Sequence, residues 1–386
     1  MKNFQFVNPT KIIFGQEQIE ELAGQIPSGS RVLVLYGGGS VQKSGLLDRV
    51  KEKLRAYTVG TFGGIEPNPT YETLMKAVEV IRSEQYNFLL AVGGGSVIDG
   101  TKFIAAAVPH LESDPWDIVK KQLAVQNALP FGVILTLPAT GSEMNNGAVI
   151  TRKEYKIKLP FMSPSVFPRF AILDPVYTYT LPPKQISNGV VDSFIHVMEQ
   201  YLTYPVEGKL QDRFSEGLLL TLIEEGPKAL AEPKNYAVRA NLMWAATLAL
   251  NGLIGSGVPQ DWATHMIGHE ITALYGLDHA QTLAIVLPSL LDVMKEEKQE
   301  KLLQYGERVW NLPHDMAADE KATAAIERTR SFFQAMGVKT RFAEYGLGSE
   351  VIEPILANLR ANGMLKLGEK GLITPDVVRT ILTNSL

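Results

Sequence analysis

At 386 residues, 45% of them apolar, the chain is long enough for two or three domains with sizeable cores. Lys and Arg total 37 against 41 Asp and Glu, a net charge of -4 with no basic stripe, which argues against a nucleic-acid partner. No cysteine is present, which removes disulfides, thiolate chemistry and Cys-ligated zinc, and no signal-type core or membrane-length apolar run is read, so the cytoplasm is the expected address.

The first part of the chain alternates short Val-, Ile- and Leu-rich runs with amphipathic segments. Runs at 31–36, 88–92, 132–137 and 170–173 have the length and composition of buried strands, while 71–84 sets Leu74, Ala77, Val78 and Ile81 at helical spacing. Such alternation predicts a mostly parallel sheet with helices on both faces. Beyond Pro182-Pro183 the pattern turns helical, with periodic apolar faces over 186–204, 210–231, 238–253, 261–275, 321–336 and 349–361. The expected division is an α/β domain over 1–177 and an all-helical domain over 178–386.

Two glycine clusters sit where predicted strands end. Val92 leads into Gly93-Gly94-Gly95-Ser96, with a helix expected from near Val97, and Gly37-Gly38-Gly39-Ser40 follows Tyr36. Glycines let backbone N–H groups approach a pyrophosphate, and the helix dipole adds positive potential. Because ligands of open α/β sheets bind beyond the carboxyl ends of the strands, the two clusters point to a dinucleotide, although neither reads GxGxxG.

In the helical half, Asp192 and His196 stand four apart, as do His265 and His269, and His279 follows. That spacing puts each pair on one helix face. Four of the six histidines fall in these segments, while His110 and His314 lie elsewhere. The text around them, Trp262-Ala-Thr-His-Met-Ile-Gly-His, is uncharged. Burying several imidazoles there without partners is costly, and one shared divalent cation satisfies them together. Spacing alone leaves open whether His265 or His269 is a ligand.

The succession Gly93-Gly-Gly-Ser-Val-Ile-Asp99, Leu137-Pro-Ala-Thr-Gly-Ser-Glu143, Asp192-x-x-x-His196 and His265-x-x-x-His269 with His279 resembles the iron-containing alcohol dehydrogenases. More narrowly it resembles their butanol-dehydrogenase-like branch of NADPH-dependent aldehyde reductases, with Tyr36-Gly-Gly-Gly-Ser40 and Gly257-Val-Pro-Gln-Asp-Trp262 as near matches. One departure is Leu277-Asp-His-Ala280, where many members read Pro-His-Gly.

The resemblance implies a dehydroquinate synthase-like arrangement, an α/β dinucleotide-binding domain and an all-helical metal domain. It assigns the ligands of one divalent metal, iron, zinc or nickel, to Asp192, His196, His265 and His279, and leaves His269 as a proton-relay candidate. The pyrophosphate loop falls on Gly94, Gly95 and Ser96, followed by Asp99; Thr136, Thr140 and Ser142 fall where hydroxyls approach the cofactor, and Lys158 matches a cofactor-contacting lysine. Gly37, Gly38, Gly39 and Ser40 take the place where NAD-selective folds of this kind carry an acidic residue on the ribose, and Lys43 lies close by, so NADP(H) is the expected cofactor. The implied reaction is hydride transfer between NADP(H) and short to medium aldehydes or primary alcohols, in a homodimer. A glycerol dehydrogenase-like polyol oxidoreductase is the alternative within enzymes, and a nucleotide-binding scaffold with a structural metal the alternative outside them.

Overall fold

The computed structural model describes residues 1–386. Eight strands form: β1 (Lys11–Phe14), β2 (Arg31–Tyr36), β3 (Thr58–Phe62), β4 (Phe88–Gly94), β5 (Phe131–Leu137), β6 (Gly147–Arg152), β7 (Ile157–Met162) and β8 (Phe170–Leu173). Six make one sheet in the order β1-β8-β5-β4-β2-β3, with every pair parallel. The sixth and seventh form a separate antiparallel hairpin. The buried apolar runs of β2, β4, β5 and β8 explain the all-parallel sheet, because such strands need cover on both faces.

The cover comes from α1 (Ser40–Lys43), α2 (Leu46–Lys53), α3 (Tyr71–Glu84), α4 (Gly95–Ala107) and α5 (Trp116–Lys120). Leu46, Leu47 and Val50 of α2 pack with Val32, Val34, Leu90 and Val92 on one face. Leu74, Val78, Ile98 and Phe103 of α3 and α4 pack with Leu33, Leu35, Leu89 and Ala91 on the other. The chain therefore leaves β2 toward one face and the adjacent β4 toward the opposite face. That is a topological switch point, the crevice where open α/β sheets bind ligands.

The helical region contains α6 (Pro183–Tyr201), α7 (Lys209–Ala231), α8 (Tyr236–Ala249), α9 (Ala263–Tyr275), α10 (His279–Val293), α11 (Gln299–Arg308), α12 (Ala318–Ala335), α13 (Ile352–Ala361) and α14 (Pro375–Asn384). Phe194 of α6 packs on Phe332 and Phe333 of α12, with ring centroids 5.2 and 5.6 Å away. None of the helices is long and apolar enough to cross a membrane.

Two compact units emerge, and they do not follow one cut in the chain. The α/β unit is Val7–Leu181 plus Lys234–Thr247, and the helical unit is Met1–Phe6, Pro182–Pro233 and Leu248–Leu386. Most of α8 thus packs with the α/β unit, where Met243 is buried in the core and Trp244 meets Phe14 edge-on. Several apolar patterns also run past the helices they predict, 186–204 beyond Tyr201 and 349–361 before Ile352 among them. The 238–253 pattern is helical only to Ala249. The 261–275 pattern starts at Ala263, because Trp262 takes a left-handed conformation at φ 63°.

Candidate metal centre and dinucleotide loops

Helix α6 supplies Asp192 and His196, α9 supplies His265, and His279 is the first residue of α10. The start of α10 is fixed by a capping box between Asp278 and Gln281, which sets where His279 stands. One ligand atom from each of the four residues lies within 4.8 Å of all the others. Asp192 Oδ1 is 3.8 Å from His196 Nε2 and 3.6 Å from His279 Nε2. Donors around one cation at metal–ligand distances of 2.0–2.2 Å sit roughly 3.4 Å apart, so slight side-chain rotation closes the set.

Asp192, His196 and His265 are buried and His279 is partly so. Burial first, opposed by Asp192 and reinforced by His265, lowers His196 to about 4. At neutral pH that imidazole is uncharged and keeps a lone pair, the form a divalent cation binds. One carboxylate and three imidazoles facing one another fit a divalent metal by donor chemistry.

The ring of His265 is itself held. Its Nδ1 is hydrogen-bonded to Oε2 of Glu199, a buried residue of α6 whose other oxygen accepts from the Thr264 N–H at 2.7 Å. Burial, then the Asp261 carboxylate, pushes Glu199 well above the usual carboxylate range, while backbone N–H groups and Lys298 pull it down. His269, one turn beyond His265, is buried and stacks on His279 with centroids 5.2 Å apart, but is not one of the four clustered donors. The Trp262 ring stands 5.3 Å from that of His265, with its indole N–H on Gln260 Oε1 at 2.8 Å. Ile254 and Ile267, two of the apolar residues near the histidines in sequence, are fully buried in the interior.

In the α/β unit, the register of β2 on β4 pairs Tyr36 with Val92. The two glycine clusters consequently emerge side by side. Close packing accounts for part of the second cluster, since a Cβ on Gly93 meets Val97 at 2.6 Å, one on Gly94 meets Leu137 at 2.9 Å and one on Gly95 meets Thr140 Oγ1 at 2.4 Å. Backbone alone fits there, at the first turn of α4, which is the arrangement a pyrophosphate uses. Gly39 has φ 100° and precedes α1, while Gly38 and Ser40 are exposed.

The other expected cofactor residues divide into two groups. Ser96 Oγ accepts from the Asn68 N–H at 3.2 Å, and Lys158 Nζ donates to Asn68 Oδ1 at 2.8 Å, so Asn68, which sequence reasoning missed, joins them. Ser142 instead is buried, donating to Asp99 Oδ1 at 2.6 Å and accepting from Lys102 Nζ at 2.8 Å. Asp99 also accepts from the Val149 N–H at 2.9 Å, and Thr140 Oγ1 from the Ser142 N–H at 3.2 Å. Lys102, also missed, donates to Asn145 Oδ1 at 2.8 Å and Gly147 O at 2.7 Å. Asp99, Lys102 and Ser142 thereby fasten the loop that carries Thr140. Thr136 is half-buried near the end of β5.

A parallel α/β sheet with paired glycine loops at its switch point, together with helices that gather three imidazoles and a carboxylate, defines a nicotinamide- and metal-type oxidoreductase architecture. Residues 9–175 match the iron-containing alcohol dehydrogenase family and residues 186–385 its C-terminal region, so the chain belongs to the iron-containing alcohol dehydrogenases. The chain is 59% identical to the NADPH-dependent aldehyde reductase YqhD of Escherichia coli K12 over 99% of both chains, and 42% identical to the probable NADH-dependent butanol dehydrogenase 1 of Bacillus subtilis over 100% of both. The crystal structure of YqhD superposes with a TM-score of 0.99 at 58% identity, covering 100% of this chain and 99% of that one. For butanol dehydrogenase A of Thermotoga maritima the TM-score is 0.95 at 33% identity, with coverage of 100% and 99%.

Proposed function

We propose that this protein is a metal-dependent, NADP(H)-using aldehyde reductase acting on short to medium aldehydes and the corresponding primary alcohols. The observation that carries the reading is the clustering of Asp192, His196, His265 and His279 in a chain that also has glycine loops at an α/β switch point. When bound, the nicotinamide supplies hydride and the divalent cation supplies Lewis acidity at the carbonyl.

Every other role belongs to this chain's own groups. Asp192, His196, His265 and His279 hold iron, zinc or nickel. Backbone N–H groups of Gly94, Gly95 and Ser96 receive the pyrophosphate, with Lys158 and Asn68 beside Ser96. Asp99, Lys102 and Ser142 keep the Thr136–Thr140 side of the site in shape. His269 is the residue assigned to exchange the alcohol proton, since an imidazole transfers protons near neutral pH.

The relatives differ in cofactor, YqhD being named for NADPH and the Bacillus protein for NADH. The preference for NADP(H) in this chain rests on the loop after Tyr36. It carries Gly37, Gly38, Gly39 and Ser40 with exposed Lys43 nearby, and no acidic side chain to repel a 2′-phosphate. The Trp262 ring beside His265 favours apolar substrates over polyols. A homodimer belongs to the same reading, supported by edge strand β1, where exposed Phe14 meets exposed Trp244, and light scattering checks it.

The test is NADPH oxidation with butanal, dihydroxyacetone and a sugar phosphate after metal analysis of the purified protein. Butanal turnover that needs the metal, with kcat/KM well above the polar ketones, is expected. A polar or phosphorylated substrate preferred a hundredfold over butanal overturns the aldehyde reading.

A further inference from the structure

We infer that Glu199 is the positioning residue that fixes the tautomer of His265 and so sets how tightly the four-residue centre binds its metal. The inference rests on the metal-site reading above, and concerns a residue outside the ligand set. Glu199 follows Asp192 and His196 on α6 at helical spacings of seven and three, which brings all three carboxylate and imidazole groups to one face.

In the loaded centre the cation favours the ionised form of Glu199, which only accepts hydrogen bonds. Oε1 of Glu199 accepts from the Thr264 N–H at 2.7 Å, and Oε2 is hydrogen-bonded to the Nδ1 of His265. This puts the imidazole proton on Nδ1 and leaves Nε2 as the atom His265 offers to the centre. A ring with its proton on Nε2 has no lone pair there and does not ligate. The backbone of Glu199 is fastened to the approach to α9 as well. The Asp261 N–H donates to the Glu199 carbonyl at 2.8 Å, the Ala263 N–H to Asp261 Oδ1 at 2.8 Å, and Lys298 Nζ to Asp261 Oδ2 at 2.7 Å. Lys298 also reaches Glu369 at 3.1 Å, which places a buried cation behind the two carboxylates. The segment leading into α9 is thereby fastened to α6 at Asp261, ahead of His265. Carboxylates hydrogen-bonded to a metal-ligating imidazole orient the ring and raise its basicity.

Glu199→Gln discriminates this role from simple capping of α9. A glutamine has one acceptor and one NH₂ group, so it cannot accept from both Thr264 and His265. If its oxygen stays with Thr264, the NH₂ faces Nδ1 and drives the proton to Nε2. Zinc and cobalt dissociation constants are measured by competition with a chromogenic chelator on metal-stripped wild type, Glu199→Gln and Glu199→Asp. The expected loss for Glu199→Gln is about 10- to 100-fold in metal affinity, with partial rescue by Glu199→Asp, which keeps both acceptors.

A Glu199→Gln protein with wild-type affinity and only a lowered melting temperature shows a cap and overturns the inference. Where that variant does not fold, the zinc-loaded wild type decides. Long-range ¹H–¹⁵N spectra of ¹⁵N-histidine protein are expected to show a proton on Nδ1 of His265 with Nε2 coordinated, and coordination through Nδ1 overturns the inference. Neither readout uses aldehyde or NADPH, so loss of the Glu199 role and failure of the aldehyde reaction are separate results. A wild type that binds no metal overturns the centre and this inference together.

Discussion

The helical unit and the α/β unit each bury a charged cluster, and the two clusters are built on opposite principles. Around Lys102, donors and acceptors match: the ammonium donates to Ser142, Asn145 and Gly147, Ser142 donates to Asp99, and Asp99 also takes the Val149 N–H. Around Asp192, the structure gathers acceptors, a carboxylate and imidazole nitrogens within 4.8 Å of one another. A satisfied network fastens the fold. A carboxylate and three imidazoles brought to one point offer the donor set that a divalent cation takes. Burial alone does not separate the two cases; the kind of group gathered does.

The largest expected effect comes from breaking the acceptor cluster. His265→Ala should strip most of the metal and lower kcat/KM on the order of a thousandfold or more, while NADPH binding stays within a few fold. Metal content by elemental analysis and cofactor titration by fluorescence check the two halves. Retained metal and activity sink the ligand assignment. His269→Ala is the control for that region: it should keep the metal and lose about 10- to 1000-fold in rate. Loss of metal from His269→Ala instead makes it a ligand.

Breaking the satisfied cluster should act on folding rather than on metal. Lys102→Met keeps the aliphatic stem but removes the donor to Ser142, Asn145 and Gly147 and the buried cation near Asp99, and leaving buried polar groups unpaired costs about 1–3 kcal/mol each. Urea unfolding at equal metal loading reads this, and an unchanged midpoint removes the fastening role.

The same lysine gives a pH dependence with a definite sign. Burial lowers it from 10.5 to about 8, with Asp99 and Glu143 pulling the other way. Between those values the unfolded lysine holds its proton and the folded one has lost it, so the unfolded state binds more protons and stability rises with pH. Relative to Lys102→Met, the wild-type unfolding free energy from urea titration should climb from about pH 8 to 10.5, by up to about 3 kcal/mol at about 1.36 kcal/mol per pKa unit. A flat difference contradicts it.

The contrast also explains what the sequence made legible. Strands 31–36 and 170–173 and helix 71–84 coincide with the observed elements, because each carries a strong periodic pattern or apolar run between clear breaks. Edge strands β1 and β3 were not readable: each is short and largely exposed, with Gly60 inside β3, and pairing comes from neighbours distant in the chain. The start of α9 was misplaced by two residues because nothing in the local text signals that Trp262 takes a left-handed conformation. The Asp192 and His196 pair was visible through its spacing. Glu199 lay on the same face, but a glutamate on a helix is ordinarily a solvated residue, and only the buried bond to His265 distinguishes it. Lys102 hid for the same reason, although three residues from Asp99 in an apolar helix is the spacing of a buried pair. That α8 packs with the α/β unit is a tertiary fact with no local signal.

The smallest expected effect tests the glycine loop after β2, whose role depends on what it lacks. Gly38 is exposed, a Cβ added to it meets nothing within 4 Å, and its backbone does not demand glycine. Gly38→Asp therefore introduces a carboxylate without a steric penalty, unlike Gly39, where φ is 100°. A carboxylate at this exposed position repels a 2′-phosphate by about 1–2 kcal/mol after solvent and salt screening. The expected fall in kcat/KM for NADPH is about five- to thirtyfold, carried mainly by KM, because a contact remote from the reacting carbon contributes equally to ground and transition states. NADH, which has no phosphate there and gains an acceptor for its ribose hydroxyl, should be unaffected or improved. The repulsion is electrostatic, so the change should shrink as ionic strength rises. If the ratio of the two kcat/KM values is the same in wild type and Gly38→Asp at low salt, the discrimination lies elsewhere in the α/β unit.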